Sequence, residues 1–229
     1  MHFRKIPIGS LLSFVTLLAS GLRAAESQPL EHDADLPDTA LFAAIDLERP
    51  GLALVRAAVD RGDMTAAREA LAGYFRTRTA PRSLRHDGER PAPYPGFNRI
   101  AADQLVAGTS YTAGRRGAPP DTGYQTHLSE LADAYWWTGD SKYAGALAAQ
   151  LQRTARDSPA TRTFHPLSAS VQAPNAIAAW QALRSADEFT TGQRIDVLKG
   201  LLAKARWLNQ HIILEKGART MNITWMIAG

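Results

Sequence analysis

The chain contains no cysteine. That absence removes disulfide scaffolds, thiolate metal sites and cysteine nucleophiles from consideration. Histidine is scarce too. The six, at positions 2, 32, 86, 127, 165 and 211, never fall at the i, i+4 spacing of a helical zinc pair, so no metal site and no cofactor is expected. There is also no glycine-rich phosphate loop, no GxSxG elbow and no nucleic-acid module, which drops nucleotide enzymes, serine hydrolases and DNA binders. Alternating strand patterns are missing as well. What remains is a 229-residue chain, 45% hydrophobic and 21% charged, with five Trp, which is ample for one folded domain.

The net charge of +4 invites a nucleic-acid partner. Its distribution argues otherwise. Arg4 and Lys5 precede an apolar run from Ile6 to about Ala19, followed by small residues and a cleavage point after Ala24 or Ala25. This pattern predicts a secretory signal peptide over residues 1–24, and the run is shorter than the roughly 20 apolar residues a membrane span needs. The expected product is periplasmic or secreted, free of the membrane once cleaved. Removing Arg4, Lys5 and Arg23 leaves 23 basic against 22 acidic residues. The excess charge is then local: residues 76–120 hold eight arginines and three acids. Guanidinium groups pair bidentately with carboxylate or sulfate, so the segment suits an anionic polymer, or it is simply a solvated loop.

Behind an acidic leader (Glu26 to Asp38) the chain reads as helix pairs. Pro50 suits a first helical position, and Leu52, Val55 and Val59 lie at helical spacing before Arg61-Gly62-Asp63 ends the run. Asp63 caps a second helix with Met64, Ala67, Leu71 and Phe75 on one stripe. So short a turn makes an αα-hairpin. Residues 78–124, interrupted by Pro81, Pro91, Pro93, Pro95, Pro119 and Pro120, are expected to be irregular, and a loop that long is often functional. A second pair follows, with Leu128, Leu131, Ala132, Tyr135 and Trp136, the turn Thr138-Gly139-Asp140, then Tyr143, Leu147 and Leu151. An irregular segment from Asp157 to Pro174 leads into a third pair, marked by Ile177, Trp180 and Leu183 and by Ile195, Leu198, Leu202 and Ile212. The fold class is all-α, an array of antiparallel helical hairpins. Spacing alone leaves a closed toroid and an extended solenoid both open.

Several of these stretches together carry a resemblance. Pro50-Gly51-Leu52, Gly62-Asp63, Ala70-Leu71 and Tyr74-Phe75-Arg76, then Ala134-Tyr135 with Thr138-Gly139-Asp140 and Lys142-Tyr143, then Trp180 to Arg184, then Thr220-Met-Asn-Ile-Thr-Trp225, follow one another in order. The order resembles the heparinase II/III-like polysaccharide lyases, of the alginate lyase and heparin-sulfate lyase N-terminal type. The resemblance implies an (α/α) toroid over residues 25–229, incomplete at its C-terminal side, and an acidic polysaccharide as partner. It also implies β-elimination on a uronic acid unit, in which Asn222 matches the asparagine that neutralises the carboxylate. Family lyases take their tyrosine and histidine acid and base largely from later parts of the toroid, and Ile223 stands where many carry a further histidine. The expectation is a lyase segment inactive by itself.

Three further residues are expected to line a substrate wall. Gln125 and His127 stand at the start of the helix after the basic loop, and Arg184 ends the Trp180 helix. Each has a plainer alternative. Asn222 also fits a helix cap or, within Asn222-Ile223-Thr224, a glycosylation acceptor; His127 fits a backbone-bonded helix terminus; Arg184 fits local pairing with Asp187 or Glu188. Tyr124, Trp136 and Trp137 are candidates for stacking on sugar rings, with Trp136 better placed for the core. Competing functions are a non-catalytic periplasmic helical-repeat binding module and an (α/α) glycoside hydrolase, the latter needing two carboxylates that Asp121, Glu130, Asp133 and Asp140 do not distinctively supply.

Overall fold

The computed structural model describes residues 36–78, 86, 89–109, 125–156 and 166–212, with side chains from 171 to 206 in the last stretch. The signal segment, most of the acidic leader, Tyr124, Arg82, Arg85, Arg115, Arg116 and Asn222 lie outside the described residues. Among those described, every regular element is a helix: α1 Asp38–Ala43, α2 Ala53–Asp60, α3 Met64–Thr77, α4 Ile100–Val106, α5 Thr126–Thr138, α6 Ser141–Arg156, α7 Pro166–Ala182 and α8 Thr191–Ile212. None of these helices is long and apolar enough to cross a membrane.

The α2–α3 hairpin forms as its sequence dictates, with one adjustment. Gly51 takes φ 90°, a left-handed conformation that cannot continue a helix, so α2 begins after Leu52 and Pro50 sits in the preceding turn rather than at a first helical position. Gly51 also lets Tyr74 approach, since a Cβ there would lie 3.0 Å from the ring. At the start of α3 the Asp63 carboxylate accepts from Ala66 N at 3.0 Å, satisfying an amide that the first helical turn leaves open.

The short helix α1 follows the acidic leader where none was expected, and two further departures appear. Within the proline-rich stretch, Ile100–Val106 forms a short helix that buries Ala102 and is fastened from outside. The Tyr143 hydroxyl donates to Asp103 Oδ1 at 2.6 Å, and Lys142 Nζ lies 2.9 Å from the same atom. The Lys-Tyr pair after the Thr-Gly-Asp turn thus serves to clamp α4 onto α6. The second departure is α7, which starts at Pro166 and carries Pro174 inside it, where an irregular approach was expected. A helix can tolerate an internal proline when tertiary packing outweighs the lost hydrogen bond.

The helices pack in hairpins and across them: α2 on α3, α5 on α6, α5 on α7, and α6 on α8. Stacking of one hairpin on the next makes this an arc of an (α/α) toroid. The core has two parts. One gathers Leu41, Phe42, Leu52, Val55, Ala67 and Leu71 from α1–α3. The other gathers Leu128, Leu131, Tyr143, Leu147, Leu151, Trp180 and Phe189 from α5–α7 and the turn beyond. α8 lies between them, giving Ile195 and Leu202 to the first and Val197 to the second. Where α6 and α8 meet, a Cβ at Gly200 would fall 2.4 Å from the Ala155 carbonyl oxygen, so this approach requires glycine.

The turn between α7 and α8 is organised around a buried arginine. Arg194, 1% exposed, donates from Nε to Phe189 O at 2.8 Å and from Nη2 to Leu183 O and Ala186 O at 3.3 and 3.2 Å. Its guanidinium carbon lies 4.4 Å from the Phe189 ring centroid. Burial, with repulsion from Arg76, pushes its pKa down to about 10, so it stays charged at neutral pH. Thr190 and Gln193 complete the junction as a reciprocal cap, Thr190 N donating to Gln193 Oε1 at 3.0 Å and Gln193 N to Thr190 Oγ1 at 3.3 Å.

Candidate functional site

Helix α5 carries a row of polar and aromatic residues at four-residue spacing: Gln125 at its N-cap, then Ser129, Asp133 and Trp137. Residues so spaced form one ridge along a helix, here about 18 Å long. The opposite stripe, Leu128, Leu131, Ala132 and Tyr135, is buried in the core. The ridge is met by two other parts of the chain.

Gln125 begins the row in a left-handed conformation, φ 56°. For a residue with a side chain this costs on the order of 1 kcal/mol, and such strain persists where the surroundings impose it. The side chain is buried and its Oε1 has no hydrogen-bond partner. Next along the ridge, Ser129 Oγ and Asn175 Oδ1 of α7 are 3.4 Å apart, a long contact at the edge of hydrogen bonding.

Asp133 meets a residue that the sequence did not single out. His86, also left-handed at φ 56°, places Nε2 2.8 Å from Asp133 Oδ1 and tilts its ring over Trp136, centroids 5.3 Å apart. With the carboxylate accepting, Nε2 is the donor. This is the orienting half of an acid–base arrangement. Nδ1, however, is buried and unpartnered, and the His86 side chain is only 3% exposed. In this conformation the pair anchors the loop to α5. A lone histidine among prolines, glycines and arginines offers no periodic signal, and its partner is 47 residues away.

The remaining expected residues divide. His127 is half-buried and two residues from Gln125, a spacing that puts helical side chains on different faces. Arg184 lies just past the end of α7, where Nη1 donates to Arg78 O at 2.8 Å. That bond commits it to the end of α3. Asp187 pairs instead with Arg76, at 2.6 Å. The described arginines of the basic segment are likewise drawn onto helices: the Arg78 guanidinium lies 5.7 and 5.8 Å from the Tyr74 and Phe75 rings, and that of Arg90 lies 4.7 Å from the ring of Tyr135. Among the described residues no three metal-ligating side chains cluster.

Residues 41–108, covering α1 to α4, match the family described as heparinase II/III N-terminus. That stretch is heparinase II/III-like. The structure extends the likeness beyond those residues. Over 84% of this chain it superposes on heparan sulfate lyase HepC from Pedobacter heparinus, with TM-score 0.66 and 22% identity, covering 34% of that chain. Against a heparinase III gene product the TM-score is 0.61 at 19% identity, covering 85% of this chain and 35% of that one. The chain spans about a third of the length of these solved lyases. At such identities the likeness concerns the fold. No curated protein matches in sequence.

Proposed function

We propose that this chain is the N-terminal toroid segment of a secreted polysaccharide lyase acting on a uronic-acid-containing polymer, a glycosaminoglycan or alginate, and that the segment binds the polymer without cleaving it. The observation that carries the reading is the helical arc shared over 84% of the chain with a heparan sulfate lyase. The α5 ridge supports it, because amide, hydroxyl and carboxylate groups flanked by indole suit a polyol.

In the elimination a base removes the proton at C5, the electrons form the C4–C5 double bond, and the O4 of the leaving sugar takes up a proton. The C5 proton becomes labile only when the adjacent carboxylate is neutralised. By resemblance Asn222 donates a hydrogen bond to that carboxylate, while by their position at the start of α5 Gln125 and His127 belong to the wall along which the polymer lies. The base and acid come from outside this segment.

The test is to incubate the 229-residue chain with heparan sulfate and with alginate. Affinity electrophoresis should show retardation by one polymer, with no rise in the ultraviolet absorbance of unsaturated uronate. Absorbance rising with the chain alone would overturn its inactivity, and migration unchanged by both polymers would overturn the polysaccharide reading. Cleavage after Ala24 or Ala25 on expression in a bacterium, read from the mature N-terminus, checks the secretory part.

A further inference from the structure

The far end of the α5 ridge has a feature that hydrogen bonding to a polyol does not require. Trp137 is 40% exposed and Tyr94 57%, whereas Trp180 of the same fold is 6% exposed. Large aromatic rings left in water side by side mark a surface that something covers. They are also held in place. Tyr94 N donates to Trp137 O at 2.8 Å, and the rings meet edge to face at 6.3 Å and 69°. Gly96 makes this fold of the loop possible, since a Cβ there would lie 2.8 Å from the Tyr94 hydroxyl oxygen. A pair fixed in advance loses little freedom on binding.

Arg90, four residues before Tyr94, lies against the same end of α5. Its guanidinium stacks on Tyr135 and comes within 3.4 Å of where a Gly139 Cβ would be. Gly139, at φ 72°, is favoured by the helix C-cap, and the arginine packs over it. The Arg90 side chain is exposed and has no carboxylate partner among the described residues. Stacking through its face leaves the in-plane N–H groups available, the geometry in which a guanidinium grips a carboxylate or sulfate with two bonds.

We propose that Tyr94, Trp137 and Arg90 form a subsite for one anionic sugar ring of an acidic polysaccharide. The aromatic faces cover the C–H face of the pyranose, and Arg90 takes its carboxylate or sulfate. A neutral sugar leaves the arginine unsatisfied, and a free inorganic anion leaves the rings exposed. The subsite rests on the polysaccharide reading and deepens it, by naming the residues and the charge they select.

Calorimetric titration of the full chain with a heparan sulfate hexasaccharide, an alginate hexasaccharide and neutral cellohexaose tests it. One acidic hexasaccharide should bind and cellohexaose should not. Trp137→Ala and Tyr94→Ala should each weaken binding about tenfold, and Trp137→Phe should restore most of it. Arg90→Gln should weaken binding about fivefold and flatten its dependence on salt. Both alanine variants should keep the wild-type thermal transition, because these side chains lie on the surface. If neither acidic hexasaccharide binds the wild type, the polysaccharide reading itself falls. If one binds the wild type and both alanine variants equally, the subsite falls and that reading stands. Equal binding of cellohexaose overturns the preference for an anionic ring. A loss confined to a destabilised Trp137→Ala, with folded Tyr94→Ala unaffected, also overturns the subsite.

Discussion

The two ends of this arc are built differently. Around α1–α3 the core is apolar and the polar links lie outside it, as in Lys199 to Asp38 at 2.6 Å and Arg68 to Asp38 at 3.9 Å. Around α5–α8 polar groups enter the interior: Arg194, Lys204, Gln125 and the imidazole of His86 are all buried there. Among the described residues the three buried side-chain atoms without partners, His86 Nδ1, Gln125 Oε1 and Arg194 Nη1, belong to this second region, and two of them flank the α5 ridge. An unpaired buried polar atom costs about 1–3 kcal/mol, so it is a burden that simple packing would remove. The first region reads as support and the second as the part shaped for recognition.

Arg194 offers the largest way to break that contrast. Arg194→Leu removes the side-chain donor from Phe189 O and the second donor from Leu183 O and Ala186 O, and a loss of about 3–5 kcal/mol is expected in urea unfolding. A loss below about 1 kcal/mol would mean that the turn finds other partners and that the interior charge is not structural.

A matched pair of truncations comes next. Leu71→Ala in the first core and Leu147→Ala in the second each remove a fully buried side chain, at about 2–5 kcal/mol. Since α8 contributes to both cores, both variants should lower one common unfolding transition. Two separate transitions, each moved by only one variant, would show that the regions fold apart.

The smallest effect is expected at the clamp on α4. Tyr143→Phe should cost about 1 kcal/mol by removing the hydroxyl bond to Asp103. That bond, followed by Lys142, holds the Asp103 carboxyl below its ordinary range. A depressed carboxyl stabilises the fold above its unfolded pKa, about 3.9, and the contribution is lost as pH falls through the lower folded value. The gap between wild type and Tyr143→Phe should therefore be full at neutral pH and shrink on acidification below about pH 4, as denaturation midpoints across pH will show.

Periodicity made the hairpins legible, because Leu52, Val55, Leu71, Leu128, Leu131, Leu147 and Leu151 recur at helical spacing and are all buried. It could not reveal α4, whose seven residues make too short a window and whose hold comes from Asp103, joined to Tyr143 40 residues later. Pro174 misled for a related reason, since a local breaker signal says nothing about what packs around it. Within the candidate site, the place of Gln125 at a helix start is legible in the sequence. Its left-handed backbone, His86 on Asp133, and Tyr94 on Trp137 are products of a loop folding back over α5, and no local pattern encodes such a return.

Gly200 has a consequence for the helical arc as a whole. With a Cβ there only 2.4 Å from the Ala155 oxygen, any other residue must push α6 and α8 apart by roughly 1 Å. Successive hairpins in an arc inherit the tilt set at each junction, so a small wedge at one of them changes the curvature of the whole. The curvature of the helical array is in this sense gauged by a missing methyl group.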